Sequence, residues 1–238
     1  FARVWALWGL VSFLATFLII IIPSMCAYLF RDEKKGQTYF ITLSRIWMRI
    51  WLTLMGCPLR IKGLEHFTKG KNYIVIFNHS STLDIPLSCP FTPGANKTIG
   101  KSSLSKIPVF GWFYKRGTVL VDRKSENSRR KSYEQMKMVL KKGMHMCIYP
   151  EGTRNRTAEP LKPFYDGAFK LSTETGIPII PCIIGNTRKV MPMNKFFYFL
   201  PATLTLEFLA PVQPENIPAR ELNSYIHGIM LKKIIENK

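Results

Sequence analysis

Two short clusters of polar residues carry the side chains that could do chemistry. The first is Asn78-His79-Ser80-Ser81-Thr82-Leu83-Asp84, directly after an apolar run. An imidazole and a carboxylate five positions apart lie ~140° from each other on a straight helix and cannot touch there. They can meet if His79 sits in a loop and Asp84 in the first turn of the following helix, with Ser80, Ser81 or Thr82 as its N-cap. Asp84 would then fix the imidazole tautomer and leave the other ring nitrogen free to act as a general base. No second His or Cys stands at ligand spacing from His79, so a metal site is not expected. The second cluster is Tyr149-Pro150-Glu151-Gly152-Thr153-Arg154, again after an apolar run. Gly152 lets a backbone approach a ligand closely. Arg154 offers a planar fork suited to a phosphate. Glu151 could accept hydroxyl hydrogen bonds or orient the arginine.

Between and around these clusters the chain is basic. Residues 97–170 hold 17 Lys and Arg against 6 Asp and Glu, so +11 of the whole-chain +19 lies in under a third of the 238 residues. Lys101 and Arg123 are the cations nearest the two clusters. The balance implies an anionic partner. No helix-turn-helix, zinc-finger or RNP-like pattern supports nucleic acid, so an acidic lipid surface or a phosphorylated substrate is expected. The chain has neither a G-x-S-x-G elbow nor a G-x-x-x-x-G-K-[ST] loop, which argues against an acyl-serine intermediate and a nucleoside triphosphate. Its five cysteines are isolated, without a C-x-x-C pair, as fits small core residues in a reducing compartment.

Elements that could position these groups follow from periodicity. Residues 72–77, 118–121, 146–149, 177–184 and 203–209 form strand patterns. The prolines in 177–184 suggest an edge or a bulge. Residues 128–142, 167–175 and 220–236 form helical patterns, with Gly143 and Gly176 as stops. The alternation predicts an α/β fold with a mixed, largely parallel sheet flanked by helices. Apolar residues make up 47% and charged residues 21%, which excludes a disordered chain.

The first 56 residues are expected to form a membrane-embedded helical segment, and residues 57–238 the catalytic domain. Residues 4–30 contain no charge, more than the ~20 residues that cross a bilayer, with Pro23 kinking or ending the helix. Trp5, Trp8 and Tyr28 stand where an aromatic belt would place them. In residues 38–55 the polar side chains Thr38, Thr42, Arg45, Arg49 and Thr53 form one narrow stripe, as in a helix that lies in a membrane interface or packs on a first membrane helix with its arginines toward headgroups. The Pro23 break favours a two-helix motif in one leaflet over a span. Positive charge after residue 30 predicts a cytoplasmic body at the inner membrane.

His79-Ser-Ser-Thr-Leu-Asp84 with Glu151-Gly-Thr-Arg154 resembles the glycerolipid acyltransferases of the bacterial PlsC type, the 1-acylglycerol-3-phosphate (lysophosphatidate) acyltransferases. Two further blocks agree. Lys101-Ser-Ser-Leu104, Pro108, Gly111 and Gly117 through Arg123 resemble the family's second motif, and Ile177 through Pro181 its fourth. The resemblance spans roughly residues 60–190. One departure is Tyr165-Asp166, where relatives often carry a basic pair before the glycine.

The resemblance implies direct acyl transfer from an acyl carrier protein or coenzyme A thioester to the sn-2 hydroxyl of lysophosphatidic acid, giving phosphatidic acid. No cofactor is implied. His79 would be the base and Asp84 its support. Lys101 and Arg154 would bind the acceptor phosphate with help from Arg123, and Glu151, Gly152 and Thr153 would shape the acceptor site. Glycerol 3-phosphate, another lysophospholipid or a lyso-aminolipid are alternative acceptors within the family. A non-catalytic lipid-binding module is the reading outside it.

Overall fold

A computed structural model describes residues 1–237. The chain folds as helices packed on both faces of a seven-stranded sheet. The strands are β1 (Leu59–Lys62), β2 (Ile74–Phe77), β3 (Asn96–Lys101), β4 (Thr118–Val121), β5 (His145–Ile148), β6 (Ile179–Gly185) and β7 (Leu204–Phe208). Their order is β1-β7-β6-β2-β5-β3-β4. Every neighbouring pair is parallel except β6–β7. The α-helices are α1 (Ala2–Met25), α2 (Glu33–Leu54), α3 (Asp84–Phe91), α4 (Phe110–Gly117), α5 (Glu126–Lys141), α6 (Gly167–Thr175), α7 (Thr187–Val190) and α8 (Ala219–Glu236). One apolar cluster joins α1, α2 and α3 to one sheet face through residues such as Phe17, Trp51, Leu87 and Val75. A second joins α5, α6 and α8 to the other face through Met136, Phe169, Ile226 and Ile74.

Of the edge or bulge that its prolines suggest, β6 is not an edge: it lies inside the sheet between β7 and β2. Its prolines are accommodated by a gap in pairing. The Pro181 carbonyl accepts from Leu209 N–H at 2.8 Å on the β7 side, just before the regular β6–β7 ladder begins at Cys182. A proline there leaves no ladder donor missing. Its neighbour Pro178 accepts from Ile74 N–H at 3.0 Å through its carbonyl, which needs no N–H of its own.

The helix α1 runs through Pro23 for only two residues and then tightens into a single 3₁₀ turn over Cys26–Leu29. It lies against α2, and tryptophan indoles join the two. Trp5 Nε1 donates to Met55 O at 3.2 Å and Trp8 Nε1 to Leu54 O at 3.1 Å, which satisfies carbonyls at the end of α2. Of the polar stripe on α2, Thr38, Thr42, Arg49 and Thr53 are exposed. Arg45 is instead turned inward. Its guanidinium donates to Pro90 O at 2.6 Å and Thr92 O at 3.0 Å, capping the end of α3. The outer face of α1 is uncovered and apolar, with Val4, Val11, Leu18, Ile19 and Ile22 each more than half exposed. The segment Ala2–Leu29 is long and apolar enough to cross a membrane.

At the base of β5, His145 is buried and its Nδ1 accepts from Tyr73 N–H at 3.0 Å. Burial, reinforced by Lys34, pulls its pKa down to about 4. The unfolded chain takes up this proton near pH 6.5, whereas the folded chain holds out to about 4. The stability due to neutral His145 is therefore complete above pH 6.5 and is lost as pH falls toward 4, by roughly 3 kcal/mol. Denaturant unfolding at pH 7 and pH 4.5 should reveal this loss. His145→Gln, which keeps an acceptor without the titration, should remove most of it.

Candidate active site

The site lies beyond the carboxyl ends of the parallel strands, where α/β sheets place their ligands. The residues of β2 are all buried and apolar, and they deliver Asn78 and His79 to the sheet's rim. The side chain of Asn78 is locked across to β6. It donates to Ile184 O at 3.0 Å and accepts from Ile184 N–H at 2.7 Å. The chain then turns, and Asp84 opens α3. His79 Nδ1 and Asp84 Oδ2 stand 2.9 Å apart, the loop-to-helix arrangement that the five-residue spacing requires.

The expected N-cap differs. Leu83 caps α3 without a side-chain bond, and the Asp84 carboxylate itself gathers the turn. Its Oδ2 accepts from Ser80 N–H at 2.6 Å and Ser81 N–H at 2.7 Å, and its Oδ1 accepts from Thr187 Oγ1 at 2.6 Å. A carboxylate attracts these donors more strongly than a serine hydroxyl can. Asp84 is fully buried, and the His79 side chain is 11% exposed. With Nδ1–H donated to Asp84, the His79 lone pair lies on Nε2. The Tyr149 ring packs 4.4 Å from the imidazole, and its hydroxyl reaches Ser88 Oγ at 2.7 Å.

The second cluster holds the first in place. Glu151 is 1% exposed. Its Oε1 accepts from His79 N–H at 2.6 Å and its Oε2 from Lys162 N–H at 3.2 Å. Asn155 N–H donates to His79 O at 2.7 Å. Both backbone polar groups of His79 are thus bound by the 151–155 loop. Burial pushes the Glu151 carboxyl up from its ordinary value, and the two N–H donors hold it partly back. Glu151 therefore neither orients Arg154 nor presents a carboxylate to a substrate hydroxyl, contrary to the expectation from sequence. Its oxygens are engaged by backbone, as a buried carboxylate requires. Gly152 has φ +70°, and a Cβ there would come within 2.6 Å of the Tyr165 ring.

An open cavity of ≈570 Å³ lies over this loop, lined by His79, Arg123, Gly152, Thr153, Arg154, Arg156, Thr157 and Lys162. Among the described residues no carboxylate lines it. Arg123 donates to Gly152 O through Nη1, and Lys162 Nζ donates to Thr153 Oγ1 at 2.8 Å. Arg154 donates to Thr82 Oγ1, which ties the second cluster to the turn between His79 and Asp84.

Seven of the eight residues expected at the site meet here, with Asp84 and Glu151 behind His79 and the others around the cavity. Lys101 is the exception. It is exposed at the end of β3 and does not line the cavity. Arg156, Lys162 and Thr187 were not foreseen. Only Arg156, two positions beyond Arg154, had a local signal; Lys162 and Thr187 arrive by long-range folding. At the Tyr165-Asp166 departure, Asp166 is turned toward α8, where its Oδ1 accepts from Asn223 Nδ2 at 2.8 Å. Tyr165 is 73% exposed above Gly152.

The arrangement combines a carboxylate-supported imidazole with four convergent cations, which suits proton removal from a hydroxyl on an anionic molecule. Comparisons with known proteins agree in kind. Residues 58–185 match the family model described as Acyltransferase. The chain is 32% identical over 200 residues to a 1-acyl-sn-glycerol-3-phosphate acyltransferase of Saccharomyces cerevisiae, an alignment covering 82% of this chain and 65% of the relative. It therefore spans just under two thirds of that relative's length. It is 28% identical over 236 residues to the enzyme of the same name from Salmonella typhimurium, covering 95% of this chain and 91% of the relative. The fold matches the crystal structure of the 1-acyl-sn-glycerophosphate (LPA) acyltransferase PlsC from Thermotoga maritima with a TM-score of 0.78 and 24% identity, covering 96% of this chain and 95% of the other. On the family match, which takes in more than half of its residues and both polar clusters, the chain belongs to the Acyltransferase family.

Proposed function

We propose that this chain transfers a fatty acyl group from an acyl thioester of coenzyme A or acyl carrier protein to the sn-2 hydroxyl of 1-acylglycerol 3-phosphate, giving phosphatidic acid. The observation that carries the reading is the position of His79, backed by Asp84, at the wall of a cavity lined by Arg123, Arg154, Arg156 and Lys162. The names of the relatives support the choice of acceptor.

In this reading His79 Nε2 takes the proton of the acceptor hydroxyl as its oxygen attacks the thioester carbonyl. The Asp84 carboxylate stabilises the imidazolium. The tetrahedral intermediate collapses with loss of the thiolate, which takes the proton from His79 and leaves as thiol. The four cations hold the acceptor phosphate, and Glu151 positions His79 through its backbone. A 1-oleoyl acceptor and palmitoyl-coenzyme A should give a product whose palmitoyl chain is released by phospholipase A2, as read by mass spectrometry. Acylation of glycerol 3-phosphate in its place contradicts the acceptor.

Arg154→Ala should raise the acceptor KM about tenfold, the effect of losing ~1.4 kcal/mol of charge-assisted binding. The change should be small in kcat, and steady-state kinetics at varied acceptor would separate the two. An unchanged KM removes Arg154 from the acceptor site.

The same reading puts the protein on the cytoplasmic face of the inner membrane, with residues 1–56 as anchor and 57–238 as catalytic domain. The helix α1 and the 3₁₀ turn after it touch the body along their length, from Ala2 O, which accepts from Phe199 N–H, through Phe17 against Phe113 to Tyr28 in the turn, whose hydroxyl reaches Trp112 O. A helix docked this way favours immersion of α1 and α2 in one leaflet over a span.

A further inference from the structure

A second basic cavity, of ≈560 Å³, lies on the other side of the His79 loop. It lies along β1 and β7 on the face away from α1 and α2. Along β1 and β7 the side chains alternate. Leu59, Ile61, Leu204 and Leu206 join the cluster under α1 and α2, while Arg60, Lys62, Thr205 and Glu207 line the cavity. Arg188 and Lys189 of α7 complete a set of four cations. Among the described residues none of the four makes an ion pair, although the Arg188 guanidinium also donates to Asn155 O at 2.6 Å and Thr157 O at 3.3 Å. The one carboxylate among the described residues of the wall, Glu207, is already neutralised by Lys233 at 2.9 Å. The floor and the α8 wall are apolar at Ile183 and Ile234.

Consecutive residues of one loop separate the two cavities. Asn78 and Ser80 line this one, and His79 between them lines the first. Thr157 and Ala158 divide in the same way. A thioester transfer brings together two molecules that each carry phosphate, and the site offers one basic cavity on each side of its base.

We propose that the second cavity binds the nucleotide end of the acyl donor, the adenosine 3′,5′-bisphosphate portion of coenzyme A. This rests on the thioester reading above. The 3′-phosphate and pyrophosphate together carry about four negative charges at pH 7, which the four unpaired cations match. Its volume falls in the range of small-molecule sites, and its apolar wall suits a base. A concave site of this kind favours a nucleotide over the flatter face of a carrier protein.

Calorimetric titration of adenosine 3′,5′-bisphosphate into the detergent-solubilised full chain, without acceptor, tests the assignment directly. Binding is expected, weakened at least about tenfold by Arg60→Glu with Lys62→Glu, about 1.4 kcal/mol. Lys189→Glu, a single change at an exposed position, should weaken it in the same direction and guards against misfolding of the double variant. In kinetics at saturating acceptor, both variants should raise the KM for palmitoyl-coenzyme A with little change in kcat. Arg130→Glu with Lys131→Glu, the same charge change on the exposed face of α5, should alter neither quantity. Absence of nucleotide binding by the wild type, or undiminished binding by both variants, overturns the proposal. So does a KM that rises for acyl carrier protein thioester but not for palmitoyl-coenzyme A, which assigns the surface to a protein donor. Because the titration needs no turnover, nucleotide binding without phosphatidic acid formation contradicts the acceptor reading and leaves this one standing.

Discussion

His79→Ala is expected to lower kcat by roughly 10²–10⁴-fold, the contribution of a positioned general base. The side chain is mostly enclosed, but what holds its loop is backbone. Glu151 and Asn155 bind the His79 N–H and C=O, and both bonds survive the substitution. Circular dichroism and thermal unfolding should therefore stay close to wild type while acyl transfer collapses. Because the proposed acceptor-phosphate contacts lie elsewhere, at Arg154 and its neighbours, the acceptor KM should change little. A variant within tenfold of wild-type kcat removes His79 from the proton-transfer step.

Asp84→Ala should damage both stability and rate. The carboxylate is fully buried and is the common acceptor for Ser80 N–H, Ser81 N–H, Thr187 Oγ1 and His79 Nδ1. Removing it leaves all four donors without their partner in a dry environment. Breaking a buried charge network of this kind costs roughly 3–5 kcal/mol. For a chain of this size that is a fall in Tm of about 10 °C. Activity should fall at least as far as in His79→Ala, because the imidazole loses its tautomer and its orientation together. Asp84→Asn should recover much of the Tm but little of the rate. The amide keeps an oxygen for the turn's N–H groups and cannot stabilise an imidazolium. Thermal unfolding beside steady-state kinetics separates the two roles; equal recovery of both by Asn would reduce Asp84 to a structural residue.

The centre of this site was legible because it is local. The five-position spacing of His79 and Asp84, a strand before them and a helix after them fix where the two can meet. The roles that sequence missed are those set by distant partners. Glu151 reaches back 72 positions to His79 N–H, and Thr187 reaches Asp84 across 103. A glutamate beside a glycine and an arginine looks like a ligand-facing group, and only folding shows that it is buried and spent on backbone.

The same physics explains the missed elements. The strand β1, Leu-Arg-Ile-Lys, is short, charged and at the sheet's edge. In β3 the inward positions include Asn96 and Thr98, whose polarity hides a buried strand. Asn96 is tolerated there because its side chain donates to Cys89 O at 3.0 Å and its carbonyl accepts from Gln37 Nε2 at 2.7 Å. The helix α3 opens at Asp84 as expected, and only its extent is hidden: Pro86 in its first turn, where the missing N–H costs nothing, and Pro90 near its end argue against a helix by proline count alone. By contrast α6, closed by Gly176 at φ +67°, follows its pattern residue for residue.

The proposed role of His79 and the adjacent basic cavity is acyl transfer to a lysophospholipid acid. Its most direct test is thiol release from palmitoyl-coenzyme A by the purified, detergent-solubilised wild-type protein, measured with lysophosphatidic acid, with glycerol 3-phosphate and with no acceptor. Release is expected to depend on lysophosphatidic acid, saturate with it, and stay at the no-acceptor level with glycerol 3-phosphate. Release that is unaffected by lysophosphatidic acid, or that requires glycerol 3-phosphate instead, contradicts it.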